Sequence, residues 1–135
     1  MTLEITFTSF SDSSGKPLLV LGPSLGTSVE ALWGLVIEQL AGEYAIVGFD
    51  LPGHGKSAAT VDHFTIADIA DEIAAHMSLQ SDSFIYAGDS VGGAIGLQLM
   101  LDHRQQVSRT VLCCTGAQIG DSDAWLERAE LVTRS

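Results

Sequence analysis

The sequence predicts an α/β chain built on a mostly parallel sheet with helices on both faces. Three observations point there. Leu18-Leu19-Val20-Leu21, Tyr44-Ala45-Ile46-Val47-Gly48-Phe49 and Phe84-Ile85-Tyr86-Ala87 are short, unbroken apolar runs, the pattern of strands covered on both sides. Segments of helical periodicity alternate with them, and that alternation requires crossovers between parallel strands. Finally, Gly88-Asp89-Ser90-Val91-Gly92 sits where one apolar run ends and a helical pattern begins.

Taken in order, the chain opens on a half-buried, edge-type strand, in which Leu3, Ile5 and Phe7 alternate with Glu4, Thr6 and Thr8. Ser11-Asp12-Ser13-Ser14-Gly15 reads as a turn. The Leu18–Leu21 run follows, then the loop Gly22-Pro23-Ser24-Leu25-Gly26-Thr27 and a helix from about Ser28 to Ala41. Thr27 and Glu30 have the spacing of a capping box, and Leu32, Leu35, Val36 and Leu40 are expected on its apolar face. The strand at 44–49 runs into Asp50 and the tight loop Leu51-Pro52-Gly53-His54-Gly55-Lys56-Ser57. A helix from Phe64 to Met77 is capped by Thr65 and carries the stripe Ile66, Ile69, Ile73, Met77. That stripe reads as core. His63 and His76 flank the helix and are expected in solvent.

The strand from Ser83 to Ala87 leads through Ser90 to a helix bearing Ile95, Leu97, Leu99, Met100 and Leu101, which ends near Asp102-His103. Arg109 to Cys114 is the last strand, and Thr115-Gly116-Ala117 its exit loop. Asp123 to Thr133 is helical by pattern, with Trp125, Ala129 and Val132 on one face.

At 135 residues the chain has one domain's length, and 46% hydrophobic against 17% charged residues marks it as globular. A formal net charge of -11 argues against nucleic acid and anionic membrane as partners. No apolar run approaches the roughly 18 residues of a membrane span, and Met1 to Phe7 lacks the layout of a signal peptide. Cys113 and Cys114 are neighbours on a strand with side chains facing opposite ways, so a bridge between them is disfavoured. Neither a disulfide framework nor a zinc site is visible, and a reducing cytoplasmic setting is expected.

The chemistry-bearing stretch is Gly-x-Ser-x-Gly. A strand before it and a helix after it make it a nucleophile-elbow signature. The serine backbone must turn sharply, and a side chain two residues to either side would clash, hence Gly88 and Gly92. The turn lifts the Ser90 hydroxyl to the carboxyl end of the sheet and aims the Val91 amide at anything attacked there. The competing reading is that Gly92, Gly93 and Gly96 only let a helix pack close to a sheet. The loop at 22–27 is a second place where an amide, assigned by position to Leu25, can face a reacting oxygen. Taken alone, it reads as an ordinary strand-to-helix turn. His54 has two readings, a base or a loop residue whose ring bonds the backbone, and the loop type favours the second.

Pro23-Ser24-Leu25-Gly26-Thr27-Ser28, Asp50-Leu51-Pro52-Gly53-His54-Gly55-Lys56-Ser57 and the elbow together resemble the α/β-hydrolase superfamily. Within it, Ala87-Gly88-Asp89-Ser90-Val91-Gly92-Gly93-Ala94-Ile95-Gly96-Leu97 and Val111-Leu112-Cys113-Cys114-Thr115-Gly116-Ala117-Gln118-Ile119-Gly120, running on to Trp125-Leu126-Glu127-Arg128, are most similar to 3-oxoadipate enol-lactonases of aromatic-compound degradation. The resemblance implies an incomplete α/β-hydrolase fold, with residues 1–120 the N-terminal part of the core and 121–135 the start of a truncated helical cap. It implies ester hydrolysis with Ser90 as nucleophile and the Leu25 and Val91 amides as oxyanion hole, a small lactone or ester substrate, and no metal or organic cofactor.

Two departures qualify it. Many relatives carry His-Gly where this chain has Pro23-Ser24. The family's catalytic acid and histidine follow later strands, beyond Ser135. Asp121 and Asp123 are placed too far past the last strand to serve as the acid. The 135-residue chain is therefore expected to be a poor catalyst alone and to expose an unpaired sheet edge open to association. The alternatives are another serine hydrolase on this fold, a carboxylesterase or cofactor-free perhydrolase, or a non-catalytic binding protein. An aspartate-nucleophile dehalogenase is disfavoured by serine at position 90.

Overall fold

The computed structural model describes residues 3–12 and 14–134; Ser13 of the expected turn lies outside them. The elements are β1 (Phe7–Ser11), β2 (Leu18–Gly22), α1 (Val29–Leu40), β3 (Ala45–Phe49), α2 (Ile66–Ser78), β4 (Phe84–Asp89), α3 (Val91–Asp102), a 3-10 turn (Arg104–Gln106), β5 (Val107–Cys113) and α4 (Ser122–Arg134). The five strands lie in the order β1-β3-β2-β4-β5. β3, β2, β4 and β5 run parallel, and β1 is antiparallel to β3 with an irregular register between Ser9 and Ser11.

Alternation along β2 divides the core. Val20 faces a cluster with Val47, Phe49 and Tyr86 of the sheet, Ile69, Ile73 and Met77 of α2, and Ile95 and Leu99 of α3. Leu19 and Leu21 face the other way, onto Ile46, Ala87 and the α1 residues Val29 and Ile37. So α1 covers one face, and α2 with α3 the other.

This layering positions the site. The chain passes from β2 over one face to β3, then returns over the other face to β4, on β2's opposite side. Neighbouring strands β2 and β4 thus send their exit loops to opposite faces. A crevice opens outside their carboxyl ends, where open α/β sheets bind ligands. Gly22 and Gly88 are the last paired residues at its floor.

Two expectations for α1 are corrected. Its N-cap is Ser28, whose hydroxyl accepts from the Ala31 amide, rather than Thr27 paired with Glu30. The buried Asp50 carboxylate accepts from the Val29 amide at 2.8 Å and the Lys56 amide at 3.0 Å, joining this helix start to the loop after β3. The apolar face is set by Val29, Trp33, Ile37 and Leu40, spaced by three and four residues. Leu35 falls off that face and is 77% exposed. The α2 reading agrees with the structure, and Thr65 and Asp68 close a capping box.

His76 also departs from expectation. Its ring stacks on Phe7, centroids 3.9 Å apart and planes 4° from parallel, in a shallow groove shared with Glu4 and Glu72. Partial burial lowers its pKa from the ordinary 6.5, because charging the ring there loses hydration. Below about pH 6.5 the unfolded chain therefore takes up a proton that the folded chain resists, and stability falls with acidification until the folded pKa is passed. Urea midpoints measured between about pH 7 and pH 5 should decline more steeply for the parent chain than for His76→Gln. Parallel slopes would remove His76 as a source of acid sensitivity.

Candidate functional site

Ser90 joins β4 to α3 in a conformation L-residues avoid, with φ 54° and ψ -115°. A serine at a helix N-cap normally turns its hydroxyl back onto the first-turn amides. Ser90 makes no such bond, so its hydroxyl remains available to the crevice. The strain is held from both sides. The Ser90 amide donates to the Cys113 carbonyl of β5 at 2.8 Å, and Thr115 Oγ1 donates to the Ser90 carbonyl at 2.7 Å.

The flanking glycines are required by close approach. A methyl at Gly88 would strike the Gly92 carbonyl, and one at Gly92 would sit 2.6 Å from the Pro23 carbonyl. Pro23 is itself fully buried. Tyr86 Oη, wholly buried, donates to the Gly92 carbonyl at 2.6 Å. Burial raises its phenol well above the usual range, keeping the proton that makes this bond.

A cleft of about 330 Å³ opens at Ser90, lined by Leu25, Ile66, Val91, Ala94, Gly116, Ala117, Ile119 and Trp125. Leu25 stands on the loop after β2 and is 46% exposed. Val91 is the first residue of α3, so its amide belongs to the helix turn that has no intrahelical acceptor. The expected trio of Ser90, Leu25 and Val91 is therefore gathered around one opening. Trp125 reaches it from α4 and donates through Nε1 to the Ile119 carbonyl. Otherwise α4 is exposed along its length.

Residues 17–132 match the family model described as alpha/beta hydrolase fold. The chain belongs to the α/β-hydrolase family. It is 30% identical over 118 residues to 3-oxoadipate enol-lactonase 2 of Acinetobacter baylyi, covering 87% of this chain and 44% of that one. It is 37% identical over 103 residues to a provisionally named carbamate hydrolase, RutD, of Serratia proteamaculans, covering 75% and 38%. The crystal structure of the enol-lactonase from Burkholderia xenovorans LB400 superposes with a TM-score of 0.87 at 29% identity, over 95% of this chain and 50% of that chain. The chain thus spans half or less of the length of these relatives.

The four histidines of the chain all lie outside the cleft lining. His54 Nδ1 bonds the Pro52 carbonyl at 3.0 Å, as the loop reading expects. His63 is exposed, His76 lies on Phe7, and His103 Nε2 pairs with Asp71 at 2.7 Å. Among the described residues no group of three His, Cys, Asp or Glu side chains could hold a metal ion, and no helix is long and apolar enough to cross a membrane. Cys113 and Cys114 are free thiols. Cys114 has left the strand, with φ 51°.

Sequence reasoning missed the bracing side chains. Tyr86 carried a usable signal, since a phenol inside an unbroken apolar strand needs a buried acceptor. Thr115 and the Ser24–Asp89 pair, where Ser24 Oγ donates to Asp89 Oδ2, are contacts between segments far apart in the chain and left no local signal.

The strain has a measurable consequence. Ser90→Gly and Ser90→Ala both remove the hydroxyl, but only glycine tolerates this backbone. Ser90→Gly should unfold at higher denaturant concentration than Ser90→Ala, by about 1 kcal/mol. The reverse order would mean that Ser90 is unstrained.

Proposed function

We propose that this chain carries the nucleophile and oxyanion half of a serine carboxylic-ester hydrolase acting on an enol-lactone. The supporting observation is the uncapped Ser90 hydroxyl at a strained strand-to-helix bend, opening onto an apolar cleft beside the first amide of α3. In this reading Ser90 Oγ attacks the ring carbonyl. The Leu25 and Val91 amides hold the resulting oxyanion, each such donor being worth about 3 kcal/mol. The ring oxygen leaves as an enol that collapses to a ketone, and water then releases the acid from Ser90. Likeness to enol-lactonases supports the substrate, and apolar walls suit a small carbon ring.

A base is also needed, because a serine without one is a weak nucleophile. No histidine lines the cleft, so the proposal assigns base and acid to polypeptide outside residues 1–135. It takes α4 as the first piece of a cap over the cleft. It also takes the free edge of β5, where Val111 is 54% exposed, as a place where further polypeptide associates.

A small external base should stand in for the missing one. Imidazole is expected to accelerate fluorophosphonate labelling of Ser90 by at least about tenfold, with no labelling of Ser90→Ala. Absence of label at Ser90 with imidazole present would refute the reading. Rescued turnover of an enol-lactone, followed by loss of its ultraviolet absorbance, should exceed that of a simple ester or a carbamate. Preference for the carbamate, the substrate class in the RutD name, would keep the nucleophile and replace the substrate.

A further inference from the structure

We propose that Ser24 and Asp89 are positioning residues that fix the gap between the Leu25 and Val91 amides. The inference rests on the oxyanion reading given above, and it extends that reading to two side chains outside the cleft lining. The physical problem comes from the topology. Leu25 lies on the loop after β2 and Val91 at the start of α3, on connections that leave neighbouring strands for opposite faces of the sheet, and the last ladder pairing between those strands is Gly22 with Gly88. Beyond that point no backbone ladder holds the connections together. Yet two donors on separate connections stabilise one oxyanion only if both come within about 2.7–3.1 Å of it.

The structure supplies a brace behind and a brace in front. Behind, the Pro23 carbonyl packs against Gly92 with no room for a methyl, and Trp33 Nε1 donates to the Gly22 carbonyl at 2.9 Å. In front, Ser24 Oγ donates to Asp89 Oδ2. Each partner immediately precedes a residue of the proposed machinery, Ser24 before Leu25 and Asp89 before Ser90. The bond crosses from the loop after β2 to the last residue of β4, one residue from Leu25 and two from Val91. Its acceptor is a carboxylate, and hydrogen bonds to carboxylates hold more strongly than those between neutral groups. It also occupies the carboxylate next to Ser90, which has no histidine beside it to act as the acid of a triad.

Relaxation of ¹⁵N-labelled chain tests the brace without requiring Ser90 to react. Leu25 and Gly26 should show order parameters near about 0.85 in the parent chain and below about 0.6 in Ser24→Ala and Asp89→Ala. Val20 and Tyr86 should stay rigid in every variant, showing that the sheet is intact. Ser24→Thr and Asp89→Asn keep a hydroxyl donor and an oxygen acceptor and should retain the rigid loop. A mobile Leu25 in the parent chain, or a rigid one in both alanine variants, would overturn the proposal. In imidazole-rescued labelling, Ser24→Ala should be slowed at least about tenfold, as expected for a weakened oxyanion donor, and Ser24→Thr should not. Loosening of the loop with labelling unchanged would also overturn it. Failure of the parent chain to label at all would instead strike the hydrolase reading and leave the mechanical result standing.

Discussion

The mouth of this sheet depends on one backbone conformation, the positive φ of Ser90. A residue held there costs of order 1–3 kcal/mol, so its surroundings must over-determine it. They do so through bonds on both sides of the peptide, one from β5 and one from the loop that follows it. Gly88 lets β4 meet the first turn of α3, and Gly92 lets that turn meet the end of β2 at Gly22 and Pro23, without a side chain between them. The serine is thereby denied its ordinary role as a helix cap, and it lines the cleft instead.

The rest of the architecture serves that bend. The two core clusters press helices onto opposite faces of the sheet. Crossing from one face to the other is what opens the crevice between β2 and β4. Buried Asp50 gathers the start of α1 and the loop after β3 into one unit, fixing the direction in which the chain leaves the loop carrying Leu25. Tyr86 reaches up from the middle of β4 to the first turn of α3. Packing thus becomes geometry at a few atoms. The order of the strands decides where the cleft is, and buried hydrogen bonds decide its shape.

How much of this was legible in the sequence follows the range of the interactions. Apolar runs marked β2, β3 and β4, because a strand buried on both faces needs no partner to reveal itself. The elbow was legible because close approach forbids side chains at fixed offsets from Ser90. The α2 cap was legible because Thr65 stands directly before the helical stripe, and its hydroxyl accepts from an amide only three residues on. At α1, Thr27 and Glu30 offered an equally good local pattern, but the cap fell one residue later at Ser28, at a helix start anchored by a carboxylate 21 residues away. His76 looked like a surface residue of α2 until Phe7, from near the N-terminus, was laid against it. β5 begins at Val107, two residues before the expected Arg109, because Val107 pairs with Phe84 across an irregularity in the ladder with β4. The Ser24–Asp89 bond joins residues 65 positions apart, and no window along the chain contains both.

The torsion at Ser90 decides whether its hydroxyl is free, and solution NMR can read it. A positive φ brings the amide hydrogen and Hα of one residue close together, so Ser90 should give a strong intraresidue amide-to-Hα Overhauser contact beside the weaker ones of its neighbours in β4 and α3. A weak contact at Ser90, together with protection of the Gly93 amide by its hydroxyl, would mean an ordinary capped helix start. In that case the hydroxyl would not be free for chemistry.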